Sequence, residues 1–189
     1  MRNAIAVLAL AALSLAGCAL SPQTITVTPA LSVAADNVGK NRVIGLHVLD
    51  ERENTAIGSR GGVYAKSSTI NPANDVGVAV YDAMKRGLET QGYQLGSANA
   101  DAVLHVAVKQ LSYHVPQGAM ATNADITVAI RVTAERGGKQ HSTDYRSTVN
   151  RKFPVAPTAT QNEEWINETL GETLARFFAD KEMRAFLNN

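Results

Sequence analysis

From Val103 to Phe153 apolar and polar residues alternate with period two, the signature of half-buried strands. Leu104, Val106 and Val108 fall on one side, His105, Ala107 and Lys109 on the other. This predicts a strand over 103–111, continued by Tyr113, His114 and Val115 to Pro116. Ile126, Val128, Ile130 and Val132 oppose Asp125, Thr127, Arg131, Thr133 and Glu135, predicting a second strand over 124–135. One face buried and one solvated is antiparallel-sheet behaviour. Arg136-Gly137-Gly138-Lys139 predicts a hairpin turn, and 140–153 the return strand, with Tyr145, Val149 and Phe153 inward. Upstream, Val43, Ile44, Leu46, Val48 and Leu49 predict a central strand over 42–50. Ile25 and Val27, followed by Pro29, predict a brief edge strand, because proline cannot donate to a ladder. Val63-Tyr64-Ala65 predicts another short strand.

Two stretches change to helical spacing. Val76, Val80, Met84 and Leu88 recur every four residues, predicting a helix over about 72–91 that starts at Asn71-Pro72 and ends at Gly92. Ile166, Leu170, Leu174, Phe177 and Phe178 predict a second, opened by a capping box between Thr160 and Glu163. Asp180 predicts the cap of a last short helix carrying Met183, Phe186 and Leu187. Helices separated by a meander imply an α+β fold: a mostly antiparallel sheet packed on two main helices as a two-layer sandwich.

The amino terminus is of another kind. Arg2 precedes an apolar run over 4–15, of signal-peptide length and too short to span a bilayer of roughly 30 Å. Ala16 and Gly17 then precede Cys18, the sole cysteine. Leu15-Ala16-Gly17-Cys18 resembles the bacterial lipobox. That resemblance implies cleavage between Gly17 and Cys18, and a diacylglyceryl group on the Cys18 sulfur with acylation of its new amino terminus. A lone exported cysteine has no partner for an internal disulfide, which agrees with lipidation. The same resemblance, with Ala19 rather than an aspartate after the cysteine, implies the periplasmic face of the outer membrane. The domain plan is a signal peptide over 1–17, a lipidated tether over 18–24 and one periplasmic domain over 25–189. The six residues 19–24 reach ~20 Å when extended, against ~70 Å if the chain is loose up to Lys40.

Charge excludes little but points away from nucleic acid. The chain holds 18 Lys plus Arg against 17 Asp plus Glu, and loss of Arg2 with the leader leaves 17 against 17. Gly58-Ser59-Arg60-Gly61-Gly62 lacks the Gly-Lys-Ser/Thr ending of a phosphate loop and reads as a flexible hairpin or loop. His47, His105, His114 and His141 show no metal-ligand spacing, and no Gly-x-Ser-x-Gly elbow occurs. No cofactor or metal is implied.

The helix ending Leu88-Glu89-Thr90-Gln91-Gly92-Tyr93, the hairpin from Ala124-Asp125-Ile126 through Thr133-Ala134 and Gly138-Lys139 to Tyr145-Arg146, the segment 180–187 and the lipobox together resemble the YajG-type lipoproteins of Gram-negative bacteria. The family carries no established activity, so the resemblance implies location and little chemistry.

The expected role is a non-catalytic accessory lipoprotein. It is attached to the membrane by lipid and binds an envelope protein or the cell wall. The expected surface is the Arg52–Gly62 loop with the wet sheet face, represented by Arg60, Thr127 and Arg131. The alternative is a ligand-binding, hydrolytic or metal-dependent enzyme in which His105 and His141 approach across the sheet, joined by Asp101 or Asp144.

Overall fold

The structure is a computed structural model and describes residues 21–61, 65–116 and 123–189. The strands are β1 (Gln23–Ile25), β2 (Val43–Asp50), β3 (Gly58–Ser59), β4 (Thr69–Pro72), β5 (Gln94–Leu95), β6 (Ala102–His114), β7 (Asn123–Arg136) and β8 (Lys139–Lys152). The helices are α1 (Val76–Thr90), between β4 and β5, then α2 (Ala159–Ala179) and α3 (Lys181–Asn188) after β8.

β6 is the hub. Along one edge it pairs antiparallel with β7, which pairs antiparallel with β8. Along the other edge it receives β2 and then β3, end to end and both parallel. β5 extends β2, while β4 and β1 extend β3. The α+β class therefore holds, but the mostly antiparallel sandwich does not. Four of the seven strand pairings are parallel, and the mixed sheet curls as a half-barrel. The reason is the connection: parallel strands need a crossover, and the path from β2 through α1 to β6 supplies one.

The inward residues of β7 are Ala124, Ile126, Val128, Ile130, Val132 and Ala134, all buried. On β6 the inward set changes parity, from Leu104, Val106 and Val108 to Leu111 and Tyr113. A β-bulge does this: Val108 opposes Ile130, Gln110 opposes Ala129, and Lys109 is the extra residue. Without it, Gln110, Ser112 and His114 would turn into the core.

α1 begins later than the apolar spacing predicts. Pro72 lacks an N–H and biases Asn71 to extended backbone, so Thr69–Pro72 joins the sheet as β4. Asp75 caps α1 instead, its Oδ1 accepting from Val78 N at 2.9 Å. The capping box of α2 is Thr158 with Gln161, not Thr160 with Glu163. Glu163 accepts instead from the backbone N–H of Thr26 at 2.7 Å. The predicted strand at Val63-Tyr64-Ala65 lies mostly outside the described residues. Gly58–Ser59, read as loop, is β3: a Cβ at Gly58 would sit 1.9 Å from Tyr113 O, so only glycine lets these strands approach.

Residues 26–30 run along α2. Thr28 N donates to Asn167 Oδ1 at 2.8 Å, Asn167 Nδ2 donates to Thr26 O at 2.9 Å, and Ala30 N donates to Asn167 O at 3.0 Å. Buried Asn162 donates to Gln23 Oε1 at 2.7 Å. The edge strand and residues 26–30 are thus part of the body.

Candidate interaction surface

The three helices pack on one face of the sheet: α1 against β2 and β5, α2 against β7, β8 and β1, and α3 against β7 and β8. The opposite face is open and laid out in rungs set by register. Leu49, Ala107, Arg131 and Asp144 form one rung across β2, β6, β7 and β8. His47, His105, Thr133 and Ser142 form the next. Ser112, Thr127 and Thr148 form a third, beyond the bulge.

Arg131 grips Asp144 with two parallel hydrogen bonds, from Nε at 2.7 Å and Nη2 at 2.8 Å. Those bonds, with the guanidinium charge, hold the Asp144 carboxyl below its ordinary value. Leu49, at the open edge of β2, is 62% exposed. His47 and His105 stack with centroids 5.2 Å apart and planes 14° from parallel, and His105 Nε2 lies 4.0 Å from Glu135. Thr133 and Ser142 share a hydrogen bond of 2.9 Å.

A groove of about 740 Å³ borders this face, where β2 has left β6 and β3 has not yet joined it. Arg52, Thr55, Ile57, Lys109, Leu111 and His114 are among its lining. The chain over it is tied at both ends: Glu51 N donates to Val108 O at 3.0 Å, and Tyr113 N donates to Ile57 O at 2.8 Å. Glu51 also pairs with Lys109 across the bulge. Burial alone would raise the Asp50 carboxyl, but two bonds of 2.8 Å from Arg52 and its charge bring it below the ordinary value. At the far side, burial pushes the Tyr113 hydroxyl up to about 12, against the opposing charge of Arg60.

The three residues expected to mark the surface are not brought together. Arg131 stands at the centre of the open face. Thr127 points to that face but is 8% exposed, closed in by Thr148, with which it shares a 3.2 Å hydrogen bond. Arg60 turns to the amino-terminal segment, donating to Ser21 O at 3.2 Å and Pro157 O at 3.5 Å. Gly17 and Cys18 lie outside the described residues. His105 and His141 do not meet: His105 is on the open face, whereas His141 is on the helix side, stacked on Phe186 at 5.6 Å. His141 sits opposite buried Ala134, on the inward set of β8 that also holds Tyr145, and so cannot share a face with Asp144. The groove was invisible to sequence reasoning, because it depends on where two strands end along a third. Its one local signal is the out-of-step polar pair Lys109-Gln110.

A family model described as "Uncharacterized lipoprotein" matches residues 29–188. The chain belongs to this family. It is 26% identical over 178 residues to "Uncharacterized lipoprotein YajG" of Escherichia coli strain K12, covering 92% of this chain and 90% of that protein. The expected YajG-type membership is thus established. Among solved structures, an uncharacterized protein shares the fold at TM-score 0.51 and 11% identity, over 87% of this chain and 99% of the other. Protein XCC0632 from Xanthomonas campestris is similar at TM-score 0.49 and 13% identity, over 87% and 98%. No helix among the described residues is long and apolar enough to cross a membrane.

Proposed function

We propose that this family member is a non-catalytic accessory lipoprotein, held through lipid on Cys18 at the periplasmic face of the outer membrane. It binds an envelope protein with the open sheet face around Arg131. The observation that carries this reading is the asymmetry of the sheet. The helices bury one face, while the other presents polar rungs, an exposed Leu49 and a bordering groove. A polar face with a few apolar positions and a paired arginine matches the make-up of non-obligate interfaces. The hydrolytic alternative has weaker support, because His105 and His141 occupy opposite faces and the His47–His105 pair stands on open surface.

Photoreactive residues at Arg131, Lys109 and Arg60 in intact cells test the reading. A discrete protein adduct is expected from 131 and 109, not from 60, and is lost in Cys18→Ser. Absence of an adduct at 131 and 109 overturns the surface, and capture of glycan fragments there gives the face to the cell wall.

A further inference from the structure

The topology gathers one end of the domain around the point where the chain emerges. β3 runs parallel to β6, so the turn after it lies beside Val115; a Cβ on Gly61 would meet Val115 Cγ1 at 2.6 Å. β4 runs back from that turn, and β1, parallel to β4, therefore starts at the same end. Asn123 opposes Lys152, so β8 finishes there and the link 153–158 comes next. Hydrogen bonds join these pieces: Gln23 Nε2 to Pro157 O at 3.2 Å, and Arg60 to both Ser21 O and Pro157 O.

Cys18 stands three residues before Ser21, a span of at most ~10 Å. A lipid on Cys18 therefore holds this end, and no other, against the bilayer. The end carries Val155, 77% exposed and the barest large apolar side chain among the described residues. Pro154 and Pro157 flank it and restrict the link to few conformations. Lys66 and Lys152 are exposed at the same end. Glu163 is engaged by Thr26 N of the emerging segment.

We infer that this end of the domain sits on the bilayer surface, with Val155 in the headgroup boundary and Lys66 and Lys152 against anionic headgroups. The inference rests on the lipid anchor at Cys18 proposed above. The several acyl chains on Cys18 supply the attachment, and the apolar and basic contacts set which side of the domain faces the bilayer. The seat also fixes orientation. β7 is 14 residues long, so the Gly137-Gly138 turn stands about 45 Å from the seated end at ~3.3 Å per residue, with the Arg131 face in between.

The test uses the full-length lipoprotein, whose Cys18 thiol is consumed by lipid, with Val155→Cys, Lys66→Cys or Lys139→Cys carrying an environment-sensitive fluorophore. Each is reconstituted into phosphatidylethanolamine–phosphatidylglycerol vesicles and floated. Expected are flotation of all three, with blue-shifted emission and loss of iodide quenching at 155 and 66 but not at 139. Protein that does not float overturns the anchor and this inference with it. Floated protein whose 155 label is quenched as readily as the 139 label overturns the inference alone. In a Val155→Asp background the 66 label shifts back toward its aqueous emission while flotation persists; an unmoved signal removes Val155 from the seat.

Discussion

The Tyr145 hydroxyl donates to Asp180 Oδ2 at 2.7 Å, while Oδ1 of the same carboxylate accepts from Glu182 N at 2.9 Å and Met183 N at 3.1 Å. One aspartate thus ends α2, starts α3 and fastens both to β8. Asp180→Ala removes a cap, worth about 1 kcal/mol, and a buried tyrosine's partner, worth about as much again. Tyr145→Phe removes the second part only. Urea unfolding of both single variants and the double should show coupling; additive losses would mean that the bond contributes nothing beyond the cap.

The same carboxylate predicts an acid dependence. Burial by itself would raise the Asp180 carboxyl, but the hydrogen bonds from Tyr145, Met183 and Glu182 hold it below the ordinary value. A carboxyl lowered on folding gives stability that is present above its unfolded pKa, about 3.9, and is lost as pH falls through the lower folded value. Stability should therefore fall as pH drops below about 4, less steeply in Asp180→Asn. Identical acid profiles for the two proteins would disprove the assignment.

Asn167 is the clip that holds residues 26–30 to α2. Asn167→Leu leaves Thr28 N and Thr26 O without their partners, at about 1–3 kcal/mol. Limited proteolysis should then cut within 26–40 in the variant before any cut in β6–β8. Unchanged protection would show that the β1–β4 pairing, the Asn74 bonds to Val27 and the packing of Ile25 and Val27 hold the segment without the Asn167 side chain.

Gly171 lies where α2 meets this segment: a Cβ there would come within 2.2 Å of Ala30 O. Helix propensity alone favours Gly171→Ala by about 1 kcal/mol. The contact reverses the sign, because backbone must move, at a cost of about 1–3 kcal/mol. A lowered melting temperature is expected; a raised one would mean that the segment yields freely.

The bulge gives the sharpest contrast. Lys109→Ala should change stability by no more than about 0.5 kcal/mol, since the side chain is half exposed. Deletion of Lys109 alone removes the extra residue and leaves Val108, Gln110 and Leu111 opposite Ile130, Ala129 and Val128, so the inward set is kept. Deletion of Lys109 and Gln110 together puts β6 out of phase, sending Leu111 and Tyr113 outward and Ser112 and His114 inward. Loss of the cooperative unfolding transition is expected for the double deletion only, and a cooperative transition in that variant would overturn the register argument.

Much of the fold is legible because its signals are local. Period-two alternation marks β7, spacing of four marks α1, and Asp180 reads as a cap from its position ahead of Met183, Phe186 and Leu187. Where a local signal had a competitor, tertiary contact chose between them. Pro72 could open a helix or close a strand, and β1 made it a strand. Glu163 could complete a capping box, but Thr26 N claimed it and Gln161 took the box.

Sequence by itself determined the α+β class, the inward residues of the long strands and the likeness to a lipoprotein family. Each rests on residues close together in the chain, where periodicity and short motifs carry the information. Only the tertiary structure decided that β2 and β3 share one edge of β6, that a groove opens between them, and that Arg60 and Arg131 serve different faces. It also placed Ser21, Val155 and Lys66 at one end, because strand direction and order arise from contacts between residues far apart in sequence.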